Sequence, residues 1–135
     1  CRIIRAADQT ITSGVATAVA FDTESFDVGE MGDLGNDKIE IRRAGKYLIT
    51  GRWRSDDVMD DGERLAYILL VNATTTVDQT CHVSSNSKVS ASFSVVLDLA
   101  VGDEITTKVY HSQGVNMNTG TATQEYPTLE VTEIR

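Results

Sequence analysis

Residues 88–99 read KVSASFSVVLDL. In an extended chain Val89, Ala91, Phe93, Val95, Leu97 and Leu99 fall on one face, and Ser90, Ser92, Ser94 and Asp98 on the other; Val96 breaks the rule. Successive strand side chains point to opposite sides, so this is a strand with one wet face and one buried face. A turn signal, Val101-Gly102-Asp103, follows it. Then EITTKVYH (104–111) groups Ile105, Thr107 and Val109.

Working upstream, KIEIRRAGKYLITGRWR (38–54) reads as two strands joined at Ala44-Gly45. Tyr47, Ile49, Gly51 and Trp53 share one face, and Leu48, Thr50, Arg52 and Arg54 the other. This predicts Tyr47 and Trp53 in the core. Arg52 and Arg54 then meet solvent or pair with carboxylates of the acidic loop that follows, in the same subunit or the next. RLAYILLVN (64–72) is apolar on both sides, with Leu65, Tyr67, Leu69 and Val71 opposite Ala66, Ile68 and Leu70. Such a strand needs cover on both faces, one of them from outside its own sandwich, and a neighbouring subunit would supply it. Further strands are predicted at 1–6, 14–21, 75–83 and 128–134. The single proline, Pro127, stands just before the last of these, where it removes no ladder hydrogen bond. No stretch carries a capped helical stripe. About eight short strands in 135 residues predict an antiparallel sandwich.

Composition excludes several functions. The net charge of −8 opposes gripping phosphate backbones, and it equally opposes a polybasic membrane contact. The longest strictly apolar run, Leu65 to Val71, is far short of the roughly 18 residues a spanning helix needs. The reading is therefore no nucleic acid and no membrane insertion. Two cysteines make no disulfide framework. Cys81 reads as a small buried apolar residue and Cys1 as a free terminus.

Chemistry-bearing motifs are sparse. The loop SDDVMDDGE (55–63) holds Asp56, Asp57, Asp60, Asp61 and Glu63. Calcium takes six to eight oxygens, often from loop carboxylates, so these five are the candidate metal ligands. Their spacing is not that of an EF-hand, and the expectation is a solvated loop with at most weak calcium binding. His82 follows Cys81 directly, and strand neighbours point apart, so the pair does not chelate one metal simply. There is no Gly-x-Ser-x-Gly elbow and no phosphate-binding glycine loop, which argues against an enzyme. Asn72-Ala73-Thr74 fits the glycosylation triplet and reads as a chance match at a turn. Binding, if present, is expected on the long polar segment 111–125, with 28–37 and 55–63.

The order of DTESFDVGEMGD, KIEIRRAGKYLITGRW, the apolar strand ending at Asn72, and SVVLDLAVGDEITTKVY resembles the globular head of complement component 1q, whose jelly roll is shared with the tumour necrosis factor family. Gly45, Lys46 and Tyr47 match the family's Gly-x-Tyr strand start. Leu97, Leu99, Gly102 and Asp103 match its leucine-rich turn through Gly-Asp. The last strand, YPTLEVTEIR, lacks the family's phenylalanine-glycine signature, and in this the chain looks more like microbial and bacteriophage heads. The resemblance implies an all-β, antiparallel jelly-roll sandwich of about eight to ten strands, assembled as a compact homotrimer. Residues 1–12 would be an amino-terminal anchoring arm or first strand, and 13–135 one jelly-roll domain. The core and trimer residues would be Tyr47, Trp53, Leu65, Tyr67, Leu69, Phe93 and Tyr110, with Arg52 and Arg54 as interchain polar contacts. The function it implies is non-enzymatic, on a virion surface, as a capsid decoration protein or fibre head meeting a capsid or fibre protein. The alternative is a secreted module for a cell-surface receptor or glycan.

Overall fold

A computed structural model of the chain describes residues 1–122 and 126–135. The strands are β1 (Arg2–Ile4), β2 (Thr10–Ile11), β3 (Thr17–Ala18), β4 (Thr23–Phe26), β5 (Gly32–Asp33), β6 (Lys38–Glu40), β7 (Gly45–Arg54), β8 (Arg64–Val71), β9 (Thr74–His82), β10 (Ser90–Leu99), β11 (Glu104–His111), β12 (Met117–Asn118) and β13 (Thr128–Ile134). The count exceeds the expected eight to ten because four of them are two-residue pairings in turn-rich stretches, too short to show any alternation.

Two antiparallel sheets face each other. One runs β10-β7-β13-β1-β4; the other runs β5-β6-β11-β8-β9, with β3 also paired to β11. Together they form a jelly-roll sandwich. The long alternating segments set the register. Phe93 lies opposite Gly51 and Ala91 opposite Trp53 across β10 and β7, while Val109 lies opposite Tyr67 across β11 and β8. Because the side-chain period is two, each such pair sends both side chains to the same face.

The core fills the gap between the sheets. Tyr47, Trp53, Leu65, Tyr67, Leu69 and Phe93 are all buried in it. The Tyr67 and Phe93 rings meet with centroids 5.3 Å apart, over Gly51, which has no side chain to obstruct them. The Tyr67 hydroxyl donates to the Thr128 carbonyl at 2.9 Å and lies 3.1 Å from the Thr107 hydroxyl. One side chain thereby ties β8 to β13 across the sandwich. The indole N–H of Trp53 is buried without an acceptor among the described residues. That costs on the order of 1–3 kcal/mol, which the burial of so large a ring offsets.

Two expectations, on Tyr110 and on the cysteines, need correction. Tyr110 is not core: it is half-buried on the outward side of β11, with the Arg64 guanidinium 5.0 Å above its ring. Alternation explains this, since Val109 and His111 take the inward positions. Residues 1–12, expected as an arm or a first strand, contain β1 and β2. Strand β1 is inserted between β13 and β4, and β2 pairs with β12. On the outward face of β8, Ala66 and Leu70 are 4 % and 5 % exposed within the single chain, and Ile68 between them is half-buried. Finally, the cysteines trade places. Both are free, but Cys1 is buried while Cys81 is only partly covered on β9.

Candidate functional site

The sandwich presents two outward sheet faces and two loop ends, and they differ in chemistry. On the six-stranded sheet one group of outward charges is paired. Lys38 pairs with Glu104 and reaches Glu40 at 3.8 Å, and Arg42 pairs with Glu40 at 2.5 Å. Beside them Arg64 lies over Tyr110 and donates to its hydroxyl at 3.1 Å. The hydrogen bond to Glu104 raises the pKa of Lys38 above the ordinary lysine value, burial opposing and losing.

The five-stranded sheet has another kind of face. Its register rows run Val96–Leu48–Thr132, Ser94–Thr50–Glu130 and Ser92–Arg52–Thr128. Small hydroxyls and aliphatics stand here beside Arg52 and Glu130, and a further row runs Asp98–Lys46–Ile134; Val96 and Ile134 are 53 % and 46 % exposed. Arg52 is exposed and Arg54 half-buried here, opposite Ser92 and Ser90. No ion pair to either arginine is formed among the described residues, so the expected intrachain pairing with the 55–63 loop is not made.

The three loops singled out in the sequence do not converge. Those at 55–63 and 111–116 meet at the end of β7, together with 84–87. Met59 and Ser87 exchange backbone hydrogen bonds at 2.9 and 3.1 Å. The Asp60 N–H donates to the Gln113 side chain, and the Asp61 N–H to the Asn86 side chain. Met59 is fully buried and pins the acidic loop to the core. The 28–37 segment lies at the opposite end, where the Glu40 N–H donates to the Met31 carbonyl. The last three residues of 111–125 fall outside the described set.

Glu63 accepts from the Ser112 hydroxyl, while Asp57, Asp60 and Asp61 are exposed. Among the described residues no group of three or more His, Cys, Asp or Glu side chains is gathered as metal ligands. His111 is buried for structural reasons. Its Nε2 lies 2.9 Å from the Ile11 carbonyl, and its Nδ1 receives the Gln113 N–H at 3.4 Å. A neutral ring with the proton on Nε2 satisfies both contacts and ties β11 to β2.

Asn72 also has a structural task that its triplet did not reveal. Asn72 and Ala73 form the two-residue turn between β8 and β9, both with positive φ, 49° and 63°. This is the hairpin geometry that matches strand twist. The Asn72 side chain donates to Asp103 at 2.9 Å and accepts the Glu104 N–H at 2.9 Å. That bond from Asn72, with another from the Ala100 N–H, lowers the pKa of Asp103. The amide at which a glycan would attach is therefore already engaged.

No protein-family model and no curated protein matches the sequence. Solved structures do match the fold. The globular domain of zebrafish complement 1qA protein superposes with a TM-score of 0.72 at 14 % identity, covering 99 % of this chain and 95 % of that one. Eiger TNF from S. frugiperda gives 0.67 at 11 % identity, covering 99 % and 91 %. At these identities the likeness is one of fold, the complement 1q and tumour necrosis factor jelly roll. Among the described residues no helix is long and apolar enough to cross a membrane.

Proposed function

We propose that the chain is a non-enzymatic binding or structural module acting as a homotrimer. The outward face of the five-stranded sheet closes the trimer, and the loop end around 55–63, 84–87 and 112–116 meets the partner. The contrast between the two sheet faces carries this reading. On the six-stranded face Lys38, Glu40 and Glu104 pair within the chain, with Arg42 beside them. The five-stranded face instead presents serines, threonines, Leu48, Val96 and Ile134 beside Lys46, Asp98 and Glu130, for which no ion pair is formed among the described residues. Closed homo-oligomers bury a repeated patch of this kind, with polar groups at its rim. Arg52 and Arg54 stand on the same face, where a carboxylate of a neighbouring copy can reach them. The similarity of fold to the two jelly-roll heads supports the same arrangement. We place the module on the outside of a virion, against a capsid or fibre protein; the departure of its closing strand from the phenylalanine-glycine signature supports that setting.

The test is Val96→Glu, which would gather like charges where copies meet. Sedimentation should show dissociation to folded monomers, with Arg52→Glu weakening the trimer more than it weakens the fold. Thr106→Glu, on the six-stranded face, should leave assembly intact. If Thr106→Glu dissociates the oligomer while Val96→Glu does not, the faces have been assigned the wrong way round.

A further inference from the structure

At the end of the sandwich opposite the acidic loop, a cavity of about 430 Å³ opens between the start of β7, the end of β13 and the 26–31 segment. Its size lies within the range of small-molecule pockets, roughly 300–1,000 Å³. The floor is apolar, formed by Cys1, Met31, Tyr47 and Val131, all of them buried. Two wall residues, Phe26 and Val28, are 45 % and 95 % exposed. The fold thus leaves two large apolar side chains in water beside a cavity that continues into its core.

The rim has the opposite sign to the rest of the molecule. Arg42, Arg43 and Arg135 line it, against a single carboxylate, Glu133. The chain as a whole carries −8, with twelve basic residues against twenty acidic, so three of those twelve at one mouth make a local reversal. Glu133 lies 3.7 Å from Arg43 and 3.1 Å from Arg135. It restrains two of the guanidiniums without using all their donors. Arg42 donates Nε to the Glu30 carbonyl and Nη1 to Glu40. A guanidinium has five N–H donors in a planar fork suited to a carboxylate, so each arginine retains capacity for an incoming anion.

We propose that this cavity binds a small anionic amphiphile: an apolar body of medium length ending in a carboxylate. The body displaces water from Met31, Phe26 and Val28. The carboxylate takes charge-assisted hydrogen bonds from the arginine rim. Neither half of the site explains the other alone, since a purely apolar slot needs no guanidiniums and a purely anionic site needs no cavity lined by methionine and phenylalanine.

The three methionines make the test local. Met31 lines the cavity, whereas Met59 and Met117 are buried elsewhere. With the methionine methyls labelled by carbon-13, decanoate is titrated below its micelle-forming concentration, with decanol and decyltrimethylammonium as controls. Decanoate should shift the Met31 methyl saturably and leave Met59 and Met117 in place. Decanol and the cation should bind at least about tenfold more weakly, the scale expected for one lost charge-assisted contact. Arg42→Ala/Arg43→Ala, at exposed side chains, should weaken decanoate by a similar factor. Val28→Asp, which places a carboxylate in an exposed wall, should do so too if the double variant folds poorly. The proposal is overturned if Met31 does not respond, if all three methyls move together, if decanol binds as tightly as decanoate, or if a folded variant binds as the parent does.

Discussion

Gly51→Ala should destabilise the fold, although replacing a mid-strand glycine by alanine ordinarily stabilises by about 0.5–1 kcal/mol. A Cβ built at Gly51 would stand 2.4 and 2.6 Å from two carbons of the Phe93 ring and 2.9 Å from a Tyr67 ring carbon. Carbon atoms rest at roughly 3.5–4.0 Å, so the Phe93 ring must retreat by about an ångström in a packed core. Phe93 is 7 % exposed and already pressed against Tyr67, itself fixed by its hydroxyl on Thr128. Overpacking of this kind costs about 1–3 kcal/mol; with the entropic gain set against it, the net is about 1–2 kcal/mol. In a domain of this size that lowers Tm by about 3–8 °C. Thermal and urea unfolding should be compared at equal protein concentration, since a trimer's Tm depends on it. In a double-mutant cycle, Gly51→Ala/Phe93→Leu should be less damaged than the two single changes summed, by about 1 kcal/mol, because the smaller side chain vacates the contested space. A Gly51→Ala protein as stable as the parent, with no coupling to Phe93, would refute the reasoning.

Ala73→Gly should stabilise the protein by about 1 kcal/mol, because Ala73 holds φ at 63° in a turn that glycine enters freely; a lower Tm by calorimetry would count against the turn as described. Stability should fall in acid below the ordinary aspartate value of 3.8. Burial pushes Asp22 up, but the Ala6 and Ala7 N–H groups, the Thr23 hydroxyl and Arg5 outweigh it and hold its pKa down. Asp33 and Asp103 are lowered as well, while Asp37, raised by burial, has the opposite sign. A lowered carboxylate stabilises the fold above 3.8 and loses that contribution as pH falls through its folded value, so Asp22→Asn should be less stable than the parent at neutral pH and lose less on acidification, as urea unfolding at both pH values will show. Calcium should leave Tm within about 1 °C and give little heat on titration, because the 55–63 carboxylates are dispersed; a large rise would show that the loop reorganises around the ion.

The sandwich was legible wherever strands were long and one face was wet. The alternation in 88–99 and 104–111 places Ala91, Phe93, Ile105 and Val109 as the structure does, all buried. It was less legible where a short pairing carries no period, as at Thr17–Ala18 or Met117–Asn118. Strand β8 shows a different limit. Its outward face is apolar throughout, yet Ala66 and Leu70 are buried within the single chain while Ile68 between them is only half-buried, a difference composition alone does not reveal. The acidic loop misleads in a similar way. Five carboxylates dominate its appearance, but Met59 among them goes inside, as Ser55 does. The cavity escaped the sequence entirely, because it joins Cys1, residues 26–31, 42–47 and 131–135 from separate strand ends. Arg42 and Arg43 stand beside the Ala44-Gly45 turn, and nothing in the sequence links Arg135 and Phe26 to them.

The account depends most on assembly, and the molar mass in solution tests it directly. Light scattering on the eluting protein at micromolar concentration should give about 44 kDa, three copies of 14.7 kDa. A single species at 14.7 kDa would contradict the trimer and leave the outward face of the five-stranded sheet without its proposed occupant.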